Sequence, residues 1–316
     1  MEKIKLGIST CLLGLPVRYD GGHKLDHYLR DTLGRYVEFS PVCPEAECGF
    51  GVPREAVRLV GDAERPRLTT VRSKQDLTDR MTVWIAGRVR ELESERLCGF
   101  VFKSGSPSSG MERVKVYNEK GAAAKNGVGL FARAFMEYFP NLPVEEEGRL
   151  NDPVLRENFI ARIFMYARWQ ELNRRGRLEL SAMIDFHVSN KLLILAHSPQ
   201  HYRELGRLVS GAKATNIRDL VSVYERRLME GMKRQATPRK NANVLMHMLD
   251  YFKKELSSWE KSELLELINQ YRTNVLPLVV PLTLLKHYVG KFDQPYLKGQ
   301  TYLNPHPLEL RLRNHV

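Results

Sequence analysis

Three short apolar runs, Ile4-Lys5-Leu6-Gly7-Ile8-Ser9, Val37-Glu38-Phe39 and Gly99-Phe100-Val101-Phe102-Lys103, each break into a loop that glycine, proline or serine keeps irregular. Segments with helical spacing lie between them. Leu25 to Leu33 stops at Gly34, and Asp76 to Glu93 puts Leu77, Met81, Trp84, Ile85, Val89 and Leu92 on one face. Val114-Lys115-Val116-Tyr117 is a candidate fourth strand and Gly129 to Tyr138 a further helix. Strands that alternate with helices in this way pair in parallel, because each return passes over the sheet. The N-terminal part therefore predicts an α/β domain with a doubly wound, mostly parallel sheet. In such sheets ligands sit beyond the carboxyl ends of the strands.

That rule sorts the four cysteines. Cys11 follows the first strand, Cys43 and Cys48 follow the second, and the loop Ser104-Gly105-Ser106-Pro107-Ser108-Ser109-Gly110 follows the third. All are expected at one sheet edge. Glu45 lies between Cys43 and Cys48, on a stretch that Pro44, Gly49, Gly51 and Pro53 hold irregular. Cys98 precedes the third strand, which puts it roughly 17–20 Å from that edge and makes it a structural thiol. Cys11, Cys43 and Cys48 are the candidate metal ligands. Their spacing is neither the paired pattern of structural zinc nor a ferredoxin run, so iron–sulfur and zinc both remain open. The competing reading is three small buried hydrophobes. A site with three protein ligands would leave the metal one open position, which serves chemistry rather than scaffolding.

A length of 316 residues points to two domains. The polar, turn-prone segment from Pro143 to Pro153 separates them, giving an α/β domain over 1–150 and an all-α domain over 151–316. Beyond it apolar residues recur at helical spacing, as in Phe159, Ile160, Ile163 and Phe164 or Leu245, Met248, Leu249 and Phe252. No apolar run reaches the roughly 20 residues of a membrane span. The N-terminal apolar run enters Arg18-Tyr19-Asp20 without a small-residue cleavage site, so no signal peptide is expected. Four cysteines without an export signal fit reduced thiols in the cytoplasm. Oligomeric state is not legible.

Charge is unevenly divided. Residues 1–150 hold 23 Lys+Arg against 21 Asp+Glu, a balance of +2, and the rest of the formal +12 leaves +10 on residues 151–316. Between Gly211 and Asn241 a basic run includes Lys213, Arg226, Arg227, Lys233 and Arg234, with Tyr224 inside it. Basic side chains neutralise phosphates and an aromatic stacks on an unpaired base, so this run is the candidate RNA-binding surface. A solvated helix face is its rival. His187, His197, His201 and His247 read as core or surface histidines rather than ligands.

Several motifs then combine. Cys11-Leu12-Leu13-Gly14 with Val17-Arg18-Tyr19-Asp20-Gly21-Gly22, Cys43-Pro44-Glu45, Pro53-Arg54 and Lys103-Ser104-Gly105-Ser106-Pro107-Ser108 resemble, in order, the thiouracil desulfidase (TudS) family. Residues 151–316 resemble a YbgA-like domain in Phe186-His187, Asn190-Lys191, Ala196-His197-Ser198, Tyr251-Phe252 and Gln300-Thr301-Tyr302-Leu303. The pairing resembles two-domain desulfidases that remove sulfur from thiouridine in tRNA. The resemblance implies a [4Fe-4S] cluster on three cysteines, with the fourth iron free to take the substrate's sulfur. Carried over, Cys11 and Cys43 are ligands, Glu45 is the acid/base and Ser106 the assisting serine. The family's third cysteine, in an SPSCG motif, is Ser109 here, so either the site is inactive or another cysteine takes its place, with Cys48 the candidate.

The chemistry expected is a non-redox hydrolysis. Soft iron takes the thiocarbonyl sulfur, water attacks the carbon with Glu45 as base, and hydrosulfide leaves. Asp20, Lys103 and Ser106 are expected to hold the pyrimidine edges or the developing charge, with Ser104, Ser108 and Ser109 also binding substrate. Asp20 also fits an ordinary Asp-Gly turn, and the serines a solvated loop. Two other functions stay open: a desulfidase limited to free thiouracil, and a non-catalytic iron–sulfur or zinc protein that binds nucleic acid and senses redox state.

Overall fold

The structure is a computed structural model, and it describes residues 3–173, 179–212 and 216–315. The chain divides into two compact units, Met1–Asp152 and Pro153–Val316. In the first unit the order is β1 (Ile4–Ser9), β2 (Val37–Val42), α1 (Pro44–Glu47), β3 (Val57–Val60), β4 (Arg67–Thr70), α2 (Thr78–Ser94), β5 (Phe100–Phe102), β6 (Val114–Tyr117), β7 (Ala123–Gly127), α3 (Leu130–Tyr138) and β8 (Val144–Glu146).

The main sheet has the order β2-β1-β5-β8, and every pairing in it is parallel. Its centre is tight. A Cβ at Gly7 would come within 2.2 Å of the Phe100 ring, so the approach of β1 to β5 requires glycine there. Phe100 and Phe102 stack at 4.4 Å and pack against Phe131 and Phe135 of α3. Helix α2 buries Met81, Ile85, Val89 and Leu92, the stripe expected from its spacing. The chain leaves β1 for β2 on one side and later reaches β5 on the other. The order therefore reverses between β1 and β5, and the carboxyl ends of these two strands flank the crevice where such folds bind ligands.

Three features depart from the sequence reading. A second sheet, β4-β3-β6-β7, joins two antiparallel pairs through a parallel β3–β6 pairing. Only β6 was legible, because β3, β4 and β7 are short and carry arginine, threonine, lysine and asparagine. The helix expected over Leu25–Leu33 is instead a π turn, Tyr28–Thr32, followed by a 3₁₀ turn, Leu33–Arg35. Finally, β8 lies inside the acidic segment read as a linker. Its carboxylates tolerate burial because they are paired: Glu145 accepts from Arg149 at 2.6 Å, and Glu146 from the Met111 amide at 2.8 Å.

The second unit is helical: α4 (Pro153–Asn173), α5 (Leu180–His197), α6 (Pro199–Ser210), α7 (Ile217–Met232), α8 (Pro238–Leu249), α9 (Ser258–Arg272), α10 (Val279–Lys291) and α11 (Pro295–Lys298). Its starts follow helix-capping chemistry. Ser198 and Thr237 cap helices that open with proline, and Ser257 forms a reciprocal capping box with Glu260. Trp169, Tyr224, Phe252 and Tyr302 are fully buried at its core. No helix among the described residues is long and apolar enough to cross a membrane.

A candidate active site at the carboxyl edge of the parallel sheet

The crevice between β1 and β5 opens into a cavity of about 400 Å³. Its wall includes Cys11 from the loop after β1, Cys43 and Glu45 after β2, and Lys103, Ser104, Ser106 and Ser109 after β5. Cys11 sits in a 3₁₀ turn, Thr10–Leu13, closed by Gly14 at φ +90°, a conformation that favours glycine. Its carbonyl accepts the Lys24 amide at 2.9 Å, which folds the loop back over the turn. Cys43 caps the short helix α1, and its own amide donates to Glu47 Oε1 at 2.7 Å. Glu47 in turn lies 3.2 Å from Arg88 of α2, so the cysteine loop is tied to the helix behind it.

Glu45 is almost fully buried and forms the polar centre of the wall. Its Oε1 accepts from Ser108 Oγ at 2.6 Å. Ser106 Oγ lies 3.1 Å from Ser108 Oγ and also accepts the Ser109 amide at 3.1 Å. Three groups, Ser106, Ser108 and Glu45, thus form a continuous hydrogen-bonded chain ending on a carboxylate. Glu45 Oε2 points the other way, 3.8 Å from Cys43 Sγ and 3.8 Å from Arg54 Nη2. Arg54 is held in place by donating to the Val17 and Gly51 carbonyls at 2.9 and 3.0 Å.

Burial, opposed by the Lys103 and Arg18 charges, pushes the Cys11 thiol above its ordinary pKa. Burial, with the Glu45 carboxylate second, pushes Cys43 up to about 12. Both are protonated at neutral pH unless a cation compensates, and a metal deprotonates such thiols on binding. The two come from different loops onto one wall. Cys48 does not join them: it is absent from that wall, and its Sγ lies 3.6 Å from the Arg80 carbonyl of α2. Its loop turns at Gly49, which carries φ +82°, so neighbours on one loop face different ways. Cys98 is buried before β5, its amide donating to the Lys5 carbonyl at 2.8 Å. Among the described residues no three His, Cys, Asp or Glu side chains gather closely enough to hold a metal. The donors on the wall are two sulfurs, a carboxylate and hydroxyls, of which Ser109 is 3% exposed. The wall thus carries two of the three thiols that the resemblance implies for an iron–sulfur cluster.

Other expected residues fall into place unevenly. The Lys103 ammonium pairs with Glu147 and donates to the Ser104 carbonyl at 3.0 Å. Glu147 follows β8 as Lys103 follows β5, and the adjacent strands pair Phe102 with Glu146. Nothing in the sequence marked Glu147 without that pairing. Asp20 is exposed and absent from the wall; its Oδ1 accepts the Gly22 amide at 3.0 Å, the Asp-Gly turn that was the alternative reading. That backbone bond holds its carboxyl below the usual range. Arg18, Tyr19, Lys24 and Arg54 line the cavity without having been assigned roles from the sequence.

In the helical unit Arg226, Arg227, Lys233 and Arg234 are exposed. Arg227 is drawn to Glu230 at 2.9 Å and Glu204 at 3.9 Å. Lys213 lies outside the described residues. The expectation that Tyr224 could stack on a base fails: the ring is fully buried against Trp169 at 5.2 Å, and its hydroxyl meets His187 Nδ1 at 2.9 Å. Burial pushes both His187 and His197 down to about 4, so each is neutral. His197 Nδ1 faces the Arg234 carbonyl at 2.7 Å and must carry the proton.

A family model described as 2-thiouracil desulfurase matches residues 6–147, and one described as a protein of unknown function (DUF1722) matches residues 191–307. The uncharacterized protein YbgA of Escherichia coli (strain K12) is 35% identical over 159 residues, which are 50% of this chain and 94% of that relative. The uncharacterized protein YbbK of Bacillus subtilis (strain 168) is 26% identical over 108 residues, 33% of this chain and 71% of the relative. Among solved structures, a [4Fe-4S]-dependent thiouracil desulfidase, TudS, aligns with 50% of this chain and 100% of its own at 28% identity and a TM-score of 0.39.

Proposed function

This chain belongs to the YbgA-like (DUF1722) family and carries a 2-thiouracil desulfurase domain ahead of that region, and from that premise we propose that it hydrolyses the carbon–sulfur bond of a thiopyrimidine. The observation that carries the proposal is the hydrogen-bonded Ser106–Ser108–Glu45 chain, whose two ends, Ser106 and Glu45, line the wall that holds the two thiols, while Ser108, expected to bind substrate, is fully buried and off that wall. A thiocarbonyl needs three things for hydrolysis: a soft partner for sulfur, a base for water, and a route for protons. Cys11 and Cys43 would hold a [4Fe-4S] cluster. When bound, it supplies a Lewis-acidic iron with affinity for thiocarbonyl sulfur.

The protein's own groups do the rest. Glu45 Oε2, turned toward the cavity side of Cys43, takes the proton of the attacking water. Oε1 stays fixed by Ser108, so the carboxylate cannot rotate away. Ser106 directs its hydroxyl hydrogen at the charge that builds on the ring, and the proton Glu45 took from water passes to the departing sulfur when the tetrahedral carbon collapses. The new C–O bond comes from water and the C–S bond breaks with both electrons on sulfur, which leaves as hydrosulfide. No electrons are exchanged, so no reductant is consumed. Arg18, Lys24 and Lys103 give the cavity positive character that favours the developing anion.

Thiouridine within tRNA is the wider substrate we infer, supported by the +10 balance on residues 151–316 and the exposed Arg226, Lys233 and Arg234. A cytoplasmic setting keeps the thiols reduced. The narrower reading, free thiouracil alone, is favoured by the burial of Tyr224, which removes the aromatic platform from the basic run. Anaerobic reconstitution with iron and sulfide, followed by assays of free 2- and 4-thiouracil and of thiolated tRNA, tests both. Sulfide and uracil in equal amounts support desulfidation. No sulfide from any of them rejects it.

A further inference from the structure

We infer that the helical unit holds a ligand site of its own, a cavity that takes a small uncharged nitrogen heterocycle, such as a nucleobase, by an edge carrying an N–H donor beside an acceptor. The cavity has a volume of about 500 Å³, within the range of small-molecule sites. It lies wholly in the second unit, among α4, α5, α8, α9 and the C-terminal segment. The inference depends neither on a metal centre nor on the desulfidase reading.

Two buried side chains on its wall end their hydrogen-bond networks with one atom to spare. His197 is 3% exposed, and its Nδ1–H is spent on the Arg234 carbonyl at 2.7 Å. Nε2 is therefore an acceptor, and among the described residues no group donates to it. Tyr271 is 7% exposed, and its hydroxyl accepts from Asn241 Nδ2 at 2.9 Å. The orientation of that amide is set by its other partners: Nδ2 also donates to the Ala236 carbonyl at 3.4 Å, and Oδ1 accepts from Tyr302 at 2.9 Å. The chain Tyr302–Asn241–Tyr271 thus runs in one direction and leaves the Tyr271 hydroxyl with a hydrogen to give. Buried polar groups are rarely left half-used.

Both groups are tied to the first turn of α8. Lys240 Nζ donates to the His197 carbonyl at 2.8 Å, and the next residue, Asn241, holds the Tyr271 hydroxyl. An acceptor and a donor fixed on one short element suit a ligand that offers the opposite pair on one edge. Charge on the wall is compensated: the Glu157 carboxylate lies 3.5 Å from Arg313 Nε and 3.5 Å from His315 Nε2. Apolar residues such as Leu193, Ala196, Pro238, Leu276 and Leu278 line much of the rest. A charged ligand would lose its hydration there without gaining an unpaired counter-charge, whereas a neutral ring meets apolar surface around its body and hydrogen bonds at its edge.

The test titrates uracil, uridine and 1,3-dimethyluracil calorimetrically into the full-length chain, with amide hydrogen exchange to locate what binds. The dimethylated ring keeps both carbonyls and has no N–H to give His197. Expected are binding of uracil or uridine below about 1 mM and at least tenfold weaker binding of 1,3-dimethyluracil. Uridine should bind roughly tenfold more weakly to Tyr271→Phe, and should slow exchange at the start of α8 and the end of α9 in wild type. No binding of uracil or uridine overturns the inference. So does equal binding of the dimethylated ring, a comparison that needs no variant to fold. Full affinity in Tyr271→Phe, or protection confined to the loops after β1, β2 and β5, overturns it as well. Oligouridylate reads the source of the ring: tighter binding than uridine assigns a base unstacked from RNA, weaker binding a free nucleoside, and both uphold the site. Sulfide release enters none of these readings, so the proposed function is decided separately.

Discussion

Glu45→Gln isolates the proton transfer from everything else the side chain does. Glutamine keeps the volume, and its amide oxygen still accepts from Ser108, so the chain of hydroxyls keeps its shape. What disappears is a proton-accepting oxygen and one negative charge. The structural cost falls on Arg54, whose side chain is 8% exposed and whose Nη2 lies 3.8 Å from the lost charge. Because Arg54 retains its two carbonyl acceptors and 3.8 Å is too long for a hydrogen bond, the loss of stability should be about 1–3 kcal/mol. The catalytic cost is larger. Removing a general base costs about 10²–10⁴ in kcat, or about 3–5 kcal/mol on the barrier. KM should move little, since the ring is held by the rest of the wall. The assay is sulfide release from thiouracil by reconstituted protein, with iron content and Tm measured on the same samples. Activity within about threefold of wild type refutes the role of Glu45 as base. Iron lost in step with activity shows instead that Glu45 maintains the metal site.

Further perturbations probe the rest of the molecule. Cys48→Ala should keep iron content and turnover, because its thiol faces Arg80; loss of iron in it would reinstate Cys48 as a ligand. Reversing charge at Arg226, Arg227, Lys233 and Arg234 should weaken turnover of thiolated tRNA and flatten its salt dependence, by about one unit of slope per lost phosphate contact, while sparing free thiouracil. Equal loss on both substrates would assign the run to folding, and no loss on either to a solvated face. Burial holds His197 at about 4, below its unfolded value of about 6.5, so the unfolded chain binds the extra proton first. Its stabilising share, roughly 3 kcal/mol, is present above pH 6.5 and lost as pH falls toward 4. Urea unfolding across that window should show the slope, and His197→Gln should reduce it.

The parallel sheet was legible because its strands are apolar runs that end in conformationally free loops, and topology then fixed which loops share an edge. The edge rule placed Cys11, Cys43 and the serine loop together and set Cys98 apart. It could not tell Cys43 from Cys48, because where a side chain points within a loop depends on turns such as that at Gly49 rather than on sequence distance. Asp20 failed for a related reason: its oxygen is consumed locally by Gly22. Glu147 escaped notice because its importance lies in a partner far along the chain, Lys103, and Arg54 was seen as part of a motif but given no role because its contact with Glu45 depends on how the loop folds back. Beyond β6 the second sheet was missed because β3, β4 and β7 run to only four or five residues, too short for a period-two signal to stand out. Tyr224 shows the limit of a charge run: its neighbours are exposed, but the helix turns this one residue into the core.

The parallel order β2-β1-β5-β8 also sets a timetable. Parallel partners are distant in sequence, so the wall on which Cys11 and Ser109 meet exists only after β5 has paired with β1, and Lys103 is fixed only once Glu147 has emerged behind β8. Contacts of such long sequence separation form late. A nascent chain that ends before residue 147 presents its thiols as loose ends, open to oxidation or to the wrong metal. Under the proposed function, loading of a cluster would therefore follow completion of the first unit, which ends at Asp152 before the helical half begins.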